Sequence, residues 1–262
     1  MALRLSRRLG WSAIASVLAI VGLAGSARAA DLREDGPLAL VITYHTTPGN
    51  RLALRRQLET TGLRQFQRWK DEGTLQNYQI LFSRHVDSGT WDASALLTFP
   101  GHDALERWKQ VERVAPAGLS QKTLELTTSI DTAPADLVRR SNPAEPRKTS
   151  VFMVVPYEVF VPTEEYLSYL DGYVVPQLEG WIAEGVLAGY GIYLPRYFAG
   201  RPWASLLVLE YKNDQALGMR ESIVAKVRAR LKEDPQWKAM SDNKKRIREE
   251  KQAVIADPLT TR

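Results

Sequence analysis

Apolar residues crowd the stretch from Leu38 to Tyr44, bounded by Pro37 and Pro48, which predicts a short buried strand. After the Pro48-Gly49-Asn50 turn, Leu54, Leu58, Phe66 and Trp69 recur at helical spacing, and Gly73 marks where that helix stops. Asn77 to Arg84 and Trp91 to Phe99 read as two further strands, with Asp87-Ser88-Gly89 as the turn between them. Leu105, Trp108 and Val111 lie on one face of a short helix that opens after Pro100-Gly101. Thr123 to Ile130, rich in threonine and leucine, completes the series as a strand. The predicted order is βαββαβ.

The same pattern then returns. Val151 to Tyr157 is the next apolar run, and Tyr166, Leu170, Tyr173, Leu178, Trp181 and Ile182 form the face of a helix that Pro176 is expected to kink. Two strands and a helix from about Asp214 follow, with Leu217, Val224, Val227 and Leu231 on one stripe. From Gln65/Gln177 to Leu105/Leu217 the two stretches align without a gap, and twelve positions are identical. They include Trp69/Trp181, Gly73/Gly185, Tyr78/Tyr190, Arg84/Arg196 and Trp91/Trp203. Two tryptophan pairs at one offset are hard to obtain by chance, and such periodicity points to a duplicated unit. The second copy diverges after Pro235, where Trp237 to Lys251 adds an amphipathic segment before a last short strand at Ala253 to Ile255. Lys244, Lys245, Arg246 and Arg248 against Glu249 and Glu250 read there as a solvated face or a docking surface.

The first residues carry a different signal. Arg4, Arg7 and Arg8 precede an uncharged apolar run from Trp11 to Gly25, and Ala27-Arg28-Ala29 supplies a small-x-small cleavage site. A cleaved leader over 1–29 and a periplasmic or secreted product are therefore expected, with no stable membrane insertion once the leader is removed. The run is shorter than the roughly 20 residues of a spanning helix. Losing four arginines (Arg4, Arg7, Arg8, Arg28) takes the 35 basic residues to 31 against 30 acidic ones, a balance of +1. The mature chain thus has no global electrostatic basis for binding nucleic acid. Cysteine is absent, which excludes disulfides, thiolate metal sites and a cysteine nucleophile. The remaining divisions are a first α+β unit over 30–131, a Pro-rich linker over 132–150, and a second unit over 151–262 with an extra C-terminal helix.

A βαββαβ unit with Gly73/Gly185 ending the first helix and a tryptophan opening the third strand resembles the dimeric α+β-barrel superfamily, which includes NIPSNAP-like proteins. The resemblance implies an α+β fold in which two tandem ferredoxin-like units close into one pseudo-dimeric barrel with helices outside. Heme-using tandem barrels of that superfamily take an axial histidine from the second half. No histidine follows His102 here, so the resemblance carries no heme over and no cofactor is expected.

Candidate chemistry gathers at the strand ends. Arg84 and Arg196 flank the hairpins leading to Trp91 and Trp203, and a guanidinium beside an aromatic rim suits a carboxylate or phosphate. The alternative is that the tryptophans plug the barrel end and the arginines pair with local acids. Tyr193 and Tyr197 join them as ligand-binding candidates in an aromatic-rich segment. His45 and His85 are weak acid/base candidates at strand ends of the first copy, and two histidines without a spaced carboxylate make no metal site. Four readings stay open: a binder of a small, partly apolar or aromatic ligand; a cofactor-independent monooxygenase or isomerase; behind it, a heme-binding protein; and a structural or interaction protein using Trp237 to Lys251. Oligomeric state is not readable from these features.

Overall fold

The computed structural model describes residues 38–141, 149–197 and 199–260. The expected leader lies outside the described residues, as do positions 142–148 of the expected linker. Strands β1 (Ala39–His45), β2 (Asn77–Ser83), β3 (Ala93–Thr98) and β4 (Ser129–Arg140) pair in the order β4-β1-β3-β2. β5 (Val151–Val159), β6 (Leu187–Pro195), β7 (Ser205–Tyr211), β8 (Arg248–Glu250) and β9 (Val254–Pro258) follow, and four of them pair in the order β9-β5-β7-β6. β8 extends the β9 edge of β5. The outer strands of the two groups pair as β4–β6 and β2–β9, all antiparallel, and an eight-stranded barrel closes.

Strand alternation sorts the side chains. Leu40, Ile42, Ile80, Phe82 and Leu97 point outward and pack with Phe66 and Trp69 of helix α1 (residues 51–71) and Trp108 of α2 (His102–Val114). In the second half, Val155, Ile192 and Leu209 meet Tyr173 and Trp181 of α3 (residues 163–183), Val227 of α4 (Arg220–Leu231) and Trp237 of α5 (Pro235–Ile247). The inward set is Val41, Leu96, Phe152, Tyr193, Leu206 and Val208, with alanines at 39, 133, 135 and 256. An eight-stranded barrel has room for side chains and little more. Alanine at four inward positions opens space toward its ends. Among the described residues, no helix is long and apolar enough to cross a membrane.

The halves match in more than strand order. α1 breaks into Arg51–Gln57, a π turn at Leu58–Gly62 and Leu63–Asp71; α3 breaks into Thr163–Tyr169, a π turn at Leu170–Val174 and Val175–Ala183. Every one of these boundaries lies at the offset of the Trp69/Trp181 pair. The irregularity in α3 precedes Pro176 and recurs in α1, which has no proline, so proline is not its common cause. Gly73 and Gly185 both adopt the left-handed region, with φ of 73° and 82°, and turn the chain out of each helix. Leu75 N and Val186 N then donate to Trp69 O and Trp181 O at 3.0 and 3.2 Å.

The fourth strand differs from expectation. Gln121–Leu124 is a helical turn, and the strand runs Ser129–Arg140, through the stretch expected to begin the linker. Ala133 and Ala135 face the barrel interior, which is why this segment is held in the sheet. Pro134 is accommodated because its carbonyl, and hence its missing N–H, face the side where β6 has just ended; Pro134 O accepts from Arg196 N at 2.9 Å. The segment from Trp237 becomes α5 followed by β8, and the last strand runs Val254–Pro258.

Candidate functional site

β1 and β5 run in the same direction, so equivalent strand ends of the two halves meet at the same end of the barrel. At the end where β1 and β5 finish there is a cavity of about 500 Å³. Its floor is Val41, Ala133, Val154 and Leu206. Trp91, half-buried, and Trp203, 7% exposed, form aromatic walls contributed by the two hairpins. The rim is polar. His45 Nε2 stands 3.4 Å from Asp131 Oδ2, while Lys251 Nζ pairs with Glu158 Oε2 at 2.5 Å. Arg201 donates to the carbonyls of Thr132 and Tyr197, and Gln252 Nε2 donates to Asp87 Oδ2 at 2.5 Å. Thr43 and Ser94 add hydroxyl-bearing side chains to the lining. An apolar pit with two indoles and a few polar groups at its edge suits a small, flat or partly apolar molecule. Asp131 can orient the His45 ring, fixing which ring nitrogen faces the cavity.

Of the residues singled out from sequence, Trp91, Trp203 and His45 come together at this mouth. His85 is exposed beyond β2 and is not part of the lining. Tyr197 is 59% exposed. Tyr193 points into the barrel but lines a second cavity, of about 350 Å³, at the opposite end with Tyr190, Arg140 and Glu210. Burial pushes its hydroxyl up to about 12, against the pull of Arg140.

Arg84 and Arg196 do not line this cavity; both are held in ion pairs. Arg84 Nη2 bonds Asp257 Oδ1 at 2.5 Å, and its Nη1 bonds Asp214. Arg196 Nη1 reaches both carboxylate oxygens of Asp136, at 3.2 and 3.1 Å. Asp136 lies on β4 opposite Leu194 of β6, and Asp257 lies on β9 opposite Phe82 of β2. Each arginine therefore clamps the last strand of the other half, one at each seam of the barrel. The register shows that the two clamps are equivalent, since Phe82 and Leu194 occupy matching places.

Asp131, Arg201, Lys251 and Gln252 were not legible as site residues. The only local signal was Arg201-Pro202 immediately before Trp203. Among the described residues, no group of three or more His, Asp or Glu is placed to hold a metal ion.

The chain matches no protein-family profile and no curated protein. It is similar in structure to a candidate monooxygenase from Lactobacillus acidophilus NCFM, with a TM-score of 0.55 and 12% identity, covering 86% of this chain and 95% of that one. An anthrone oxidase-like protein gives 0.53 and 14%, covering 86% and 91%. A candidate monooxygenase from Fusobacterium nucleatum gives 0.50 and 12%, covering 86% and 94%. These neighbours are dimeric α+β-barrel proteins, and at such identities the likeness shows the fold alone.

Proposed function

We propose that this chain is an exported, tandemly duplicated α+β barrel, NIPSNAP-like in its units, that binds a small, partly apolar or aromatic ligand in the mouth walled by Trp91 and Trp203. The single observation that carries the binding reading is the convergence of the two indoles over an apolar floor. Duplication is supported by the common offset of the two π turns and by the equivalent arginine clamps. Under this reading 30–131 and 151–262 are the two units. Titration with 1-naphthol, followed by quenching of tryptophan fluorescence, tests the site. Binding should saturate and weaken about tenfold in Trp91→Ala, the equivalent of about 1.4 kcal/mol of lost ring contact. Absence of saturable quenching, or equal affinity in Trp91→Ala, refutes it.

A second reading is a cofactor-independent oxygenase or isomerase, favoured by one feature: the His45–Asp131 pair opens into the same cavity. Two neighbours are named as candidate monooxygenases and one as anthrone oxidase-like. Oxygen uptake with anthrone as the probe separates the readings. An oxygenase shows uptake that His45→Gln abolishes while naphthol binding persists; no uptake above the uncatalysed rate removes the oxygenase form of this reading.

A further inference from the structure

A further cavity lies outside the barrel, in the helical layer of the second half. It has a volume of about 560 Å³ and is lined by Tyr157 of β5, Tyr169 and Tyr173 of α3, Arg228 of α4, Lys244 and Lys245 of α5, and the β8 residues. Tyr166, Tyr169, Tyr173 and Trp237 form a continuous stack, with ring centroids 6.1, 4.9 and 4.9 Å apart. The guanidinium of Arg248 sits 3.9 Å over the Tyr157 ring and 5.4 Å over that of Tyr169, and it donates to Tyr166 Oη at 3.4 Å.

One feature of this site is costly unless something else uses it, and a second leaves positive charge available to a ligand. Tyr169 and Tyr173 are 3% and 2% exposed, yet neither hydroxyl has a hydrogen-bond partner among the described residues. A buried hydroxyl without a partner is normally avoided. Burial also holds the Tyr169 hydroxyl protonated, since it raises the pKa well above the ordinary tyrosine value despite Arg248, so this group is a donor. Second, neither Arg248, Lys244 nor Lys245 has an ion-pair partner among the described residues. Arg228 spends its Nε on Gln177 Oε1 at 2.8 Å. The opposing charges on the lining are Glu249 and Glu250, both exposed, and Glu250 accepts from Tyr157 Oη at 3.4 Å. Four cations and two idle phenols outnumber those two carboxylates.

We propose that this cavity binds a small organic oxyanion, a carboxylate or phosphate, held by Arg248 and the hydroxyls of Tyr169 and Tyr173, with Lys244 and Lys245 at the entrance. The site belongs to the second half only. At the corresponding places the first half has Gln57 and Thr61 on α1 in place of Tyr169 and Tyr173.

Trp237, stacked on Tyr173, is a built-in reporter. The full chain is titrated with inorganic phosphate and, separately, with benzoate, by calorimetry and tryptophan fluorescence. Saturable binding of at least one probe is expected; phosphate alone indicates a phosphate group as the recognised head, benzoate alone a carboxylate on a planar body. Arg248→Gln should weaken binding about tenfold or more, the scale of a lost charge-assisted hydrogen bond. Tyr169→Phe with Tyr173→Phe should also weaken it, without lowering Tm, because these hydroxyls have no protein partner to lose. A stability loss in the double variant with unchanged affinity overturns the proposal. So does failure of both probes to bind, or binding that survives both the tyrosine pair and Lys244→Met with Lys245→Met. Because Arg248→Gln removes a ring contact, the tyrosine and lysine variants decide the question if it folds poorly. Trp91→Ala should leave phosphate binding, and the part of benzoate binding that Arg248→Gln removes, unchanged, which separates this site from the barrel mouth.

Discussion

Replacing Arg196 by alanine distinguishes a seam clamp from a ligand-binding arginine. Its Nη1 is shared between both oxygens of Asp136, and the two side chains are 18% and 10% exposed. Breaking a fully buried pair from one side costs about 3–5 kcal/mol, whereas an exposed pair is worth about 0–1 kcal/mol. The partial exposure places Arg196→Ala between these limits, at about 2 kcal/mol. For a chain of this size that corresponds to a Tm lower by about 4–8 °C. Urea denaturation followed by far-UV circular dichroism measures the loss. Asp136→Asn and the double variant complete a cycle whose coupling should be about 1 kcal/mol or more. Naphthol affinity of the folded protein should not change. If Arg196→Ala stays within about 0.5 kcal/mol of the parent, the range of an ordinary surface substitution, and affinity falls instead, the clamp is wrong and the arginine belongs to a site.

Gly185→Ala forces a side chain into the left-handed region at φ 82° and should cost about 1–2 kcal/mol, with unfolding in urea as the readout; a neutral result would mean the α3 terminus relaxes freely. At alkaline pH the buried tyrosines govern stability. Burial pushes Tyr157 and Tyr193 up to about 12, whereas the unfolded chain ionises near about 10. The folded state therefore keeps its protons longer, so the stabilisation is full below about pH 10 and is lost between about pH 10 and 12. Tyrosinate absorbance and far-UV circular dichroism should change together in that window; phenols titrating near their ordinary value with native dichroism would contradict it. Export predicts that N-terminal sequencing of material secreted from a producing cell begins at Ala30 or within a residue or two; folded cytoplasmic protein still starting at Met1 would refute it.

The elements that could be read from sequence were those whose periodicity is local. Leu54, Leu58, Phe66 and Trp69 announce α1, and the matched tryptophans announce the β2–β3 and β6–β7 hairpins. β4 was hidden because Pro134 reads as a break, and its tolerance depends on where a strand some sixty residues later happens to end. The π turns were hidden because they leave the apolar positions in place. At the mouth, Trp91 and Trp203 were visible as a rare shared residue type. Asp131, Arg201 and Gln252 were not, since only barrel closure brings them together. The clamps were half visible: Arg84 and Arg196 share the main offset. Their partners Asp136 and Asp257 are matched only through the strand register, beyond the point where the copies diverge.

Register equivalence also separates frame from chemistry. Clamps, π turns and glycine caps recur in both halves, and the clamps tie the barrel at its two seams. The polar rim does not recur. Tyr44 and Tyr157 occupy equivalent places, since their partners Ala93 and Ser205 lie at the common offset, so His45 corresponds to Glu158. The His45–Asp131 pair thus faces a Glu158–Lys251 pair across the mouth. The two indoles are alike and the polar groups between them are not. A homodimer of a single unit would offer any ligand on its axis two equivalent orientations. Under the proposed duplication, joining the units in one chain would let the rim diverge, and a ligand held between Trp91 and Trp203 would meet a histidine on one side and a lysine–glutamate pair on the other. Such a mouth can hold an asymmetric molecule one way round. Under the oxygenase reading, a reactive edge of that molecule would be presented to His45 alone.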